Sequence, residues 1–157
     1  MIDQVQPARV YAGAFEQGHL DHDATHRILY EAYGQPLVEI PFYYSYYRRY
    51  QQFNRFSETK GEQVLTLSAE ERRFKRTVAK SYPSQNIWRL LVSAEIVETI
   101  LGRRPHLDST ERVRWQTHFD YRSPNHATLL KHRIQASKSW EKWIQGLDAF
   151  EKHLAGH

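Results

Sequence analysis

The stretch Ser84 to Arg104, SQNIWRLLVSAEIVETILGRR, constrains the chain more than any other. Ten of the fifteen positions from Ile87 to Leu101 are apolar, and none is Gly or Pro. Ser84 can cap the start, because its hydroxyl accepts from the unpaired amides of a first turn. Gly102, with Pro105 beyond it, closes the end. On a helical period Val97, Leu90, Leu101, Ala94, Ile87 and Leu91 share one arc, and Trp88, Val92, Ile96 and Ile100 spread round much of the rest. Such a helix expects neighbours on several sides, so it reads as core. Arg89, Glu95 and Glu98 inside it argue against a membrane span.

Around that helix the chain is expected to be mainly α. The expectation is one globular domain over residues 1–157, a bundle of about five or six helices with one or two short strands, Val64–Leu67 and Val113–Tyr121. A chain of 157 residues has room for one real core. The absence of cysteine excludes disulfides, thiolate catalysis and Cys-based zinc or iron–sulfur sites. The first residues, MIDQVQPARV, show neither a basic n-region nor an apolar run, so the cytoplasm is expected.

The net charge of +4 hides an asymmetry. Residues 1–47 hold two basic residues against six acids, whereas residues 48–157 hold twenty against twelve. Fifteen of the twenty-two basic residues are Arg. A guanidinium fork matches phosphate and stacks on bases, which leans toward nucleic acid. The plain alternative is an Arg preference that serves surface solubility.

In chain order, Val10, Tyr11, Ala14 and Phe15 can share a face of a short helix. Asp21 or Asp23 can cap a helix to about Tyr33, ended by Gly34 and Pro36, with Ile28, Leu29, Tyr30 and Tyr33 inward. His19, His22 and His26 stand at i, i+3 and i+7, a spacing that suits zinc, iron or nickel if the helix starts early enough. The simpler reading, and the one adopted, is an exposed helix start without metal. Leu37–Ile40, between prolines, reads as an extended lead-in.

The stretch PFYYSYYRRYQQFNRF follows, and its period favours a helix opened by Pro41. Phe42, Tyr43, Tyr46, Tyr47, Tyr50, Phe53 and Phe56 fill one arc. Tyr44 falls on the other, beside Arg48 and Arg55, where an exposed aromatic among guanidinium groups can stack a base. Ser68 and Glu71 then form a capping box for a helix of about Ala69–Ser81. Phe74 and Val78 mark its expected inner face, with Arg72, Arg73, Arg76 and Lys80 opposite. Like charges at that spacing repel unless a polyanion, or solvent, takes them up.

Arg103 and Arg104 close the central helix, where they suit either the dipole or a phosphate. Residues Val113, Trp115, Phe119 and Tyr121 alternate with polar ones, which is a strand signal. A helix is nonetheless preferred there, for want of other segments to pair with. Pro124 opens a last helix to about Leu154, with a kink expected near Ser137 and Ser139 or near Gly146.

Many chemistries are missing. There is no Gly-rich phosphate loop, dinucleotide fingerprint, nucleophile elbow or H-E-x-x-H. Glu95 and Glu98 lack the E-x-x-H partner that a di-iron bundle needs. The expectation is a cofactor-free, non-enzymatic accessory subunit of a nucleoprotein complex, DNA or RNA being open. It would contact phosphates through Arg72, Arg73, Arg76 and Lys80, with Tyr44, Arg48, Arg55, Arg103 and Arg104 as further candidates. The acidic N-terminal third would meet other protein subunits, and no membrane is involved. The alternative is a protein–protein adaptor or inhibitor using the Tyr/Arg-rich surface. A histidine nuclease built on His118, His126 or His132 comes third.

Overall fold

The computed structural model describes residues 5–16, 19–41, 43–44, 52–82, 96, 99–102, 109–126 and 128–156. Along the chain run β1 (Tyr11–Gly13), α1 (Leu20–Tyr33), β2 (Val38–Ile40), β3 (Tyr43–Tyr44), β4 (Gln52–Phe53), β5 (Gln63–Thr66), α2 (Ala69–Lys80), β6 (Thr110–Trp115), α3 (Thr128–Gln135) and α4 (Lys138–Ala155). Four strands form one mixed sheet in the order β1-β2-β6-β5. β1 and β2 are parallel, and the other pairings are antiparallel. The expected mainly-α bundle is therefore corrected to an α/β fold.

Two short segments account for the difference. β1 and β2 have three residues each, too few for any periodicity to speak; β2 is the partner that β6 needs on one side, and β1 extends the sheet beyond it. The helix preferred over Val113–Tyr121 is therefore corrected: the segment is strand only from Thr110 to Trp115, with β5 on its other side, and no strand runs on to Tyr121. Helix α1 joins the parallel pair β1 and β2, as a parallel connection requires. It begins after His19 rather than after Asp21 or Asp23, and Gly34 ends it in the left-handed conformation at φ 68°. Ile28, expected inside, is exposed.

The expected helix from Pro41 to Phe56 is also corrected where it is described. Tyr43–Tyr44 pairs antiparallel with Gln52–Phe53, so the aromatic density there marks strands. Residues 45–51 lie outside the described residues. The last helix is divided, because Ser137 takes extended backbone and caps α4 by accepting from the Trp140 amide. Gly146 stays within α4.

Of Ser84–Arg104, only Ile96 and residues 99–102 are described, so the central-helix reading lies largely outside the described residues. Ile96 and Ile100 are helical and exposed, and Gly102 has φ 69° as the cap position wants. The core among the described residues is elsewhere. Phe15, just after β1, is enclosed by Tyr121, Ile134, Trp140, Trp143 and Leu147. Its ring lies 4.8 Å from Tyr121 and 5.3 Å from Trp143, tilted against both. The Trp143 indole also donates to the Tyr121 carbonyl at 2.8 Å, which pins α4 to the turn after β6.

The capping box of α2 is present in both its bonds. Its expected packing is not. Phe74 is 71% exposed, and Val78 is exposed as well. The half-buried positions are Arg72, Lys75 and Ala79, and Lys75 ties the helix to β6 through Glu111 at 2.7 Å. Among the described residues no helix is long and apolar enough to cross a membrane.

These placements separate two phenylalanines. Phe15→Ala is expected to lower the free energy of unfolding by about 3–5 kcal/mol, since it opens a cavity in the Trp/Tyr cluster. Phe74→Ala is expected to stay within about 0.5 kcal/mol of wild type. Urea unfolding of the two variants checks both values, and equal losses would contradict this core.

Candidate functional site

Paired residues of neighbouring strands share a sheet face, so Ala12, Glu39 and Arg114 lie on one side and Tyr11, Val38 and Trp115 on the other. The first side is the buried one. A carboxylate and a guanidinium therefore face the interior, where they meet each other, α1 and the segment 56–58. Arg114 Nε donates to Glu39 Oε2 at 2.5 Å, and its NH1 donates to the Glu58 carbonyl at 2.6 Å. The guanidinium carbon lies 4.1 Å from the Phe56 ring centre. His26 Nε2, from α1, lies 3.1 Å from Glu39 Oε1.

The rest of the chain of bonds runs from His26 through Tyr121 to Gln116. Gln116 Nε2 donates to the Tyr121 hydroxyl at 3.1 Å, and that hydroxyl is 2.8 Å from His26 Nδ1. Burial pushes the Tyr121 phenol up, so it keeps its proton. Glu39, held as a carboxylate, can only accept, so His26 Nε2 donates to it. Burial works to raise the Glu39 pKa, yet the bond from His26 and the charge and bond of Arg114 hold it below the ordinary value. The array is an internal frame in which Glu39 is engaged on both oxygens, while Arg114 Nη2 is buried without a hydrogen-bond partner.

Glu16 stands near it with less support. It is buried, and its Oε1 accepts from the Ser57 amide at 2.7 Å. Burial raises its pKa to about 7. The Ser57 amide and Arg114 oppose that shift, and Glu39 and Glu62 add to it. His126 Nε2 donates to the Glu16 carbonyl at 2.7 Å, and Asn125 donates to the Phe15 carbonyl at 3.1 Å, so residues 125–126 strap this segment down.

The histidine expectations resolve accordingly. His26 is wholly buried with both ring nitrogens engaged, so it leaves the i, i+3, i+7 set. His19 and His22 stack at 5.0 Å near the start of α1. Partial burial and the neighbouring His19 lower the His22 pKa against the pull of Asp21. Among the described residues no group of three potential ligands is placed to hold a metal ion. For the nuclease reading, His126 is spent on Glu16 and His118 Nε2 donates to the Ser123 carbonyl at 2.8 Å. His132 is exposed on α3.

The basic candidates divide as well. Arg73, Arg76 and Lys80 stand exposed on α2, and Arg72 is half-buried. Tyr44 is in β3, and Arg55 is half-buried beside Phe56. Arg48, Arg103 and Arg104 lie outside the described residues. Several cations elsewhere are held by carboxylates: Arg27 by Glu31, Lys75 by Glu111, Arg112 by Glu62, Arg114 by Glu39, and Arg122 by Asp148 and Glu151. The acidic N-terminal third loses much of its surface charge, since Glu16, Asp23 and Glu39 are buried.

Sequence reasoning did not find Glu39 and Arg114. It also missed the open side of the sheet, where Tyr11 is 54% and Trp115 49% exposed, with the exposed Arg9 guanidinium 5.7 Å from the indole centre. One signal was present. Both charged residues sit inside apolar or alternating runs, where a lone charge asks for a partner. No protein-family model matches the chain, and neither a curated protein nor a solved structure is significantly similar to it.

The Glu16 environment gives a pH dependence. Its folded pKa, about 7, lies above the ordinary 4.5, so the folded state holds the proton more tightly. That contribution is complete below the lower value and is lost as pH rises through the higher one. Relative to Glu16→Gln, wild type is expected to lose roughly 3 kcal/mol of stability between about pH 5 and 8. Urea unfolding across that range measures it, and parallel profiles would show that this carboxyl does not titrate there.

Proposed function

We propose that the protein binds nucleic acid through its phosphate backbone, with Arg73, Arg76 and Lys80 of α2 as the principal contacts and Arg72 at their edge. The observation that carries this reading is the exposure of α2. None of its residues is buried, and these three cations stand on its solvent side. A row of long cations on a rigid helix can follow a polyanion without base-specific contacts. The reading is of a non-enzymatic, cofactor-free binding subunit in the cytoplasm.

A second reading, a protein-binding adaptor, draws on the same helix. Phe74, Val78 and Tyr82 are exposed at successive four-residue steps, and such apolar stripes are used by helix-binding partners. The cationic arc favours the first reading.

Changing Arg73, Arg76 and Lys80 together to Gln is expected to leave the melting temperature within a few degrees, because surface changes of this kind are small. Polynucleotide affinity is expected to fall for all sequences alike. The slope of log K against log salt should flatten by about 0.7–0.9 for each phosphate that is no longer neutralised. Fluorescence anisotropy over a salt series measures both quantities. A wild-type protein without affinity at low salt would hand the lead to the adaptor reading.

A further inference from the structure

We infer that the open side of the sheet, where Tyr11 and Trp115 stand with Arg9 over the indole, is a stacking site for the bases of single-stranded nucleic acid. This rests on the phosphate-binding reading of α2 and adds to it the strandedness of the ligand. The first ground is sidedness. Tyr11, Val38 and Trp115 are register partners across β1, β2 and β6, so the two rings lie two strand spacings apart, roughly 10 Å. Both are about half exposed, whereas Ala12, Glu39 and Arg114 behind them are buried. At this row of the sheet Glu39 and Arg114 thus turn inward and two large aromatics outward, with buried Val38 as the floor between them. Hydrophobic burial alone would arrange these residues the other way round.

The second ground is charge. Arg9 is exposed and puts a guanidinium beside Trp115, where the phosphate of a stacked nucleotide needs a cation. Glu111, Val113 and Trp115 share the outward side of β6, and Lys75 fastens α2 to Glu111 at 2.7 Å. Glu111 and Trp115 are four residues apart, roughly 13 Å along the strand. The cationic helix is therefore tethered to the same side of the sheet as the aromatic pair, and cations lie towards both ends of it. A polyanion fits that arrangement better than an apolar partner does. Strandedness follows from the rings themselves: duplex bases are stacked on one another, and only an unpaired base can offer its face to an indole or phenol.

The test compares three probes by anisotropy at low salt: a short labelled oligothymidylate, an abasic phosphodiester of equal length, and a duplex. Wild type is expected to prefer the oligothymidylate to the abasic strand. Trp115→Ala and Tyr11→Ala are each expected to weaken oligothymidylate binding by roughly 5- to 150-fold, with abasic and duplex binding unchanged. Trp115→Phe should restore most of the affinity, since it keeps a π face. If Trp115→Ala does not melt cooperatively, the same comparison is read from Tyr11→Ala. Equal wild-type affinity for thymidylate and abasic strands, or a preference that survives both alanine variants, overturns the stacking site. Binding that still depends on Arg73, Arg76 and Lys80 would then leave the phosphate reading standing. Absence of binding to all three probes removes both.

Discussion

The buried contact between Arg114 and Glu39 is the one on which the rest of the described structure depends. It joins β2 to β6 through side chains as well as through the backbone ladder. Taking two charges out of water is costly, and the attraction between them offsets that only when their other polar atoms are also engaged. Here Glu39 receives bonds on both oxygens, from His26 and from Arg114, and Arg114 gives a second bond to the Glu58 carbonyl but leaves Nη2 without a partner. The array then reaches α1 through His26 and the turn after β6 through Tyr121. Tyr121 in turn belongs to the cluster around Phe15 and the α4 tryptophans. One polar chain thus connects the sheet, the first helix and the apolar core.

A buried pair of this kind specifies more than it stabilises. An apolar pair of matching volume would often hold the strands as well. What it would not do is penalise a register slip. Moving β6 by one residue would carry Arg114 to the open side and leave Glu39 buried without its cation, a loss of several kcal/mol. With β1 and β2 only three residues long, backbone bonding alone specifies register weakly. The ion pair supplies the discrimination that such short strands lack.

Sequence legibility followed the same physics. Local, self-contained signals were readable. The Ser68/Glu71 capping box, the left-handed Gly34 and Gly102 and the weak point near Ser137 all appear in the structure, and of the alternation from Val113 to Tyr121 the part up to Trp115 lies in a strand. Long-range pairing was not readable. The partners of β6 are β2, a three-residue strand far away in sequence that looks like any short apolar run, and β5, whose region does read as a short strand. The basic helix was located correctly by its cap, but its buried side was misjudged because Phe74 and Val78 are left exposed. For the metal set, spacing alone placed His26 with His19 and His22, whereas the carboxylate of Glu39 holds it inside.

The phase of β6 shows most clearly what sequence pattern can and cannot carry. Its period of two is right, but its polarity is inverted at its end: Arg114 and, just past the strand, Gln116 are buried, while Trp115 is exposed. Gln116 faces inward because its amide is fully occupied, accepting from Leu37 N and donating to the His118 carbonyl and the Tyr121 hydroxyl. Once Glu39 commits Arg114 to the interior, pleating sends Trp115 to the other side whatever its hydrophobicity. The outward indole is therefore a direct consequence of the inward ion pair. An apolar pair at 39 and 114 would leave the same phase held by burial alone, whereas the ion pair also penalises the slip that would bring Trp115 inside. Keeping the charges inside retains the aromatic residues outside, and this couples the interior frame to the surface on which a ligand would stack.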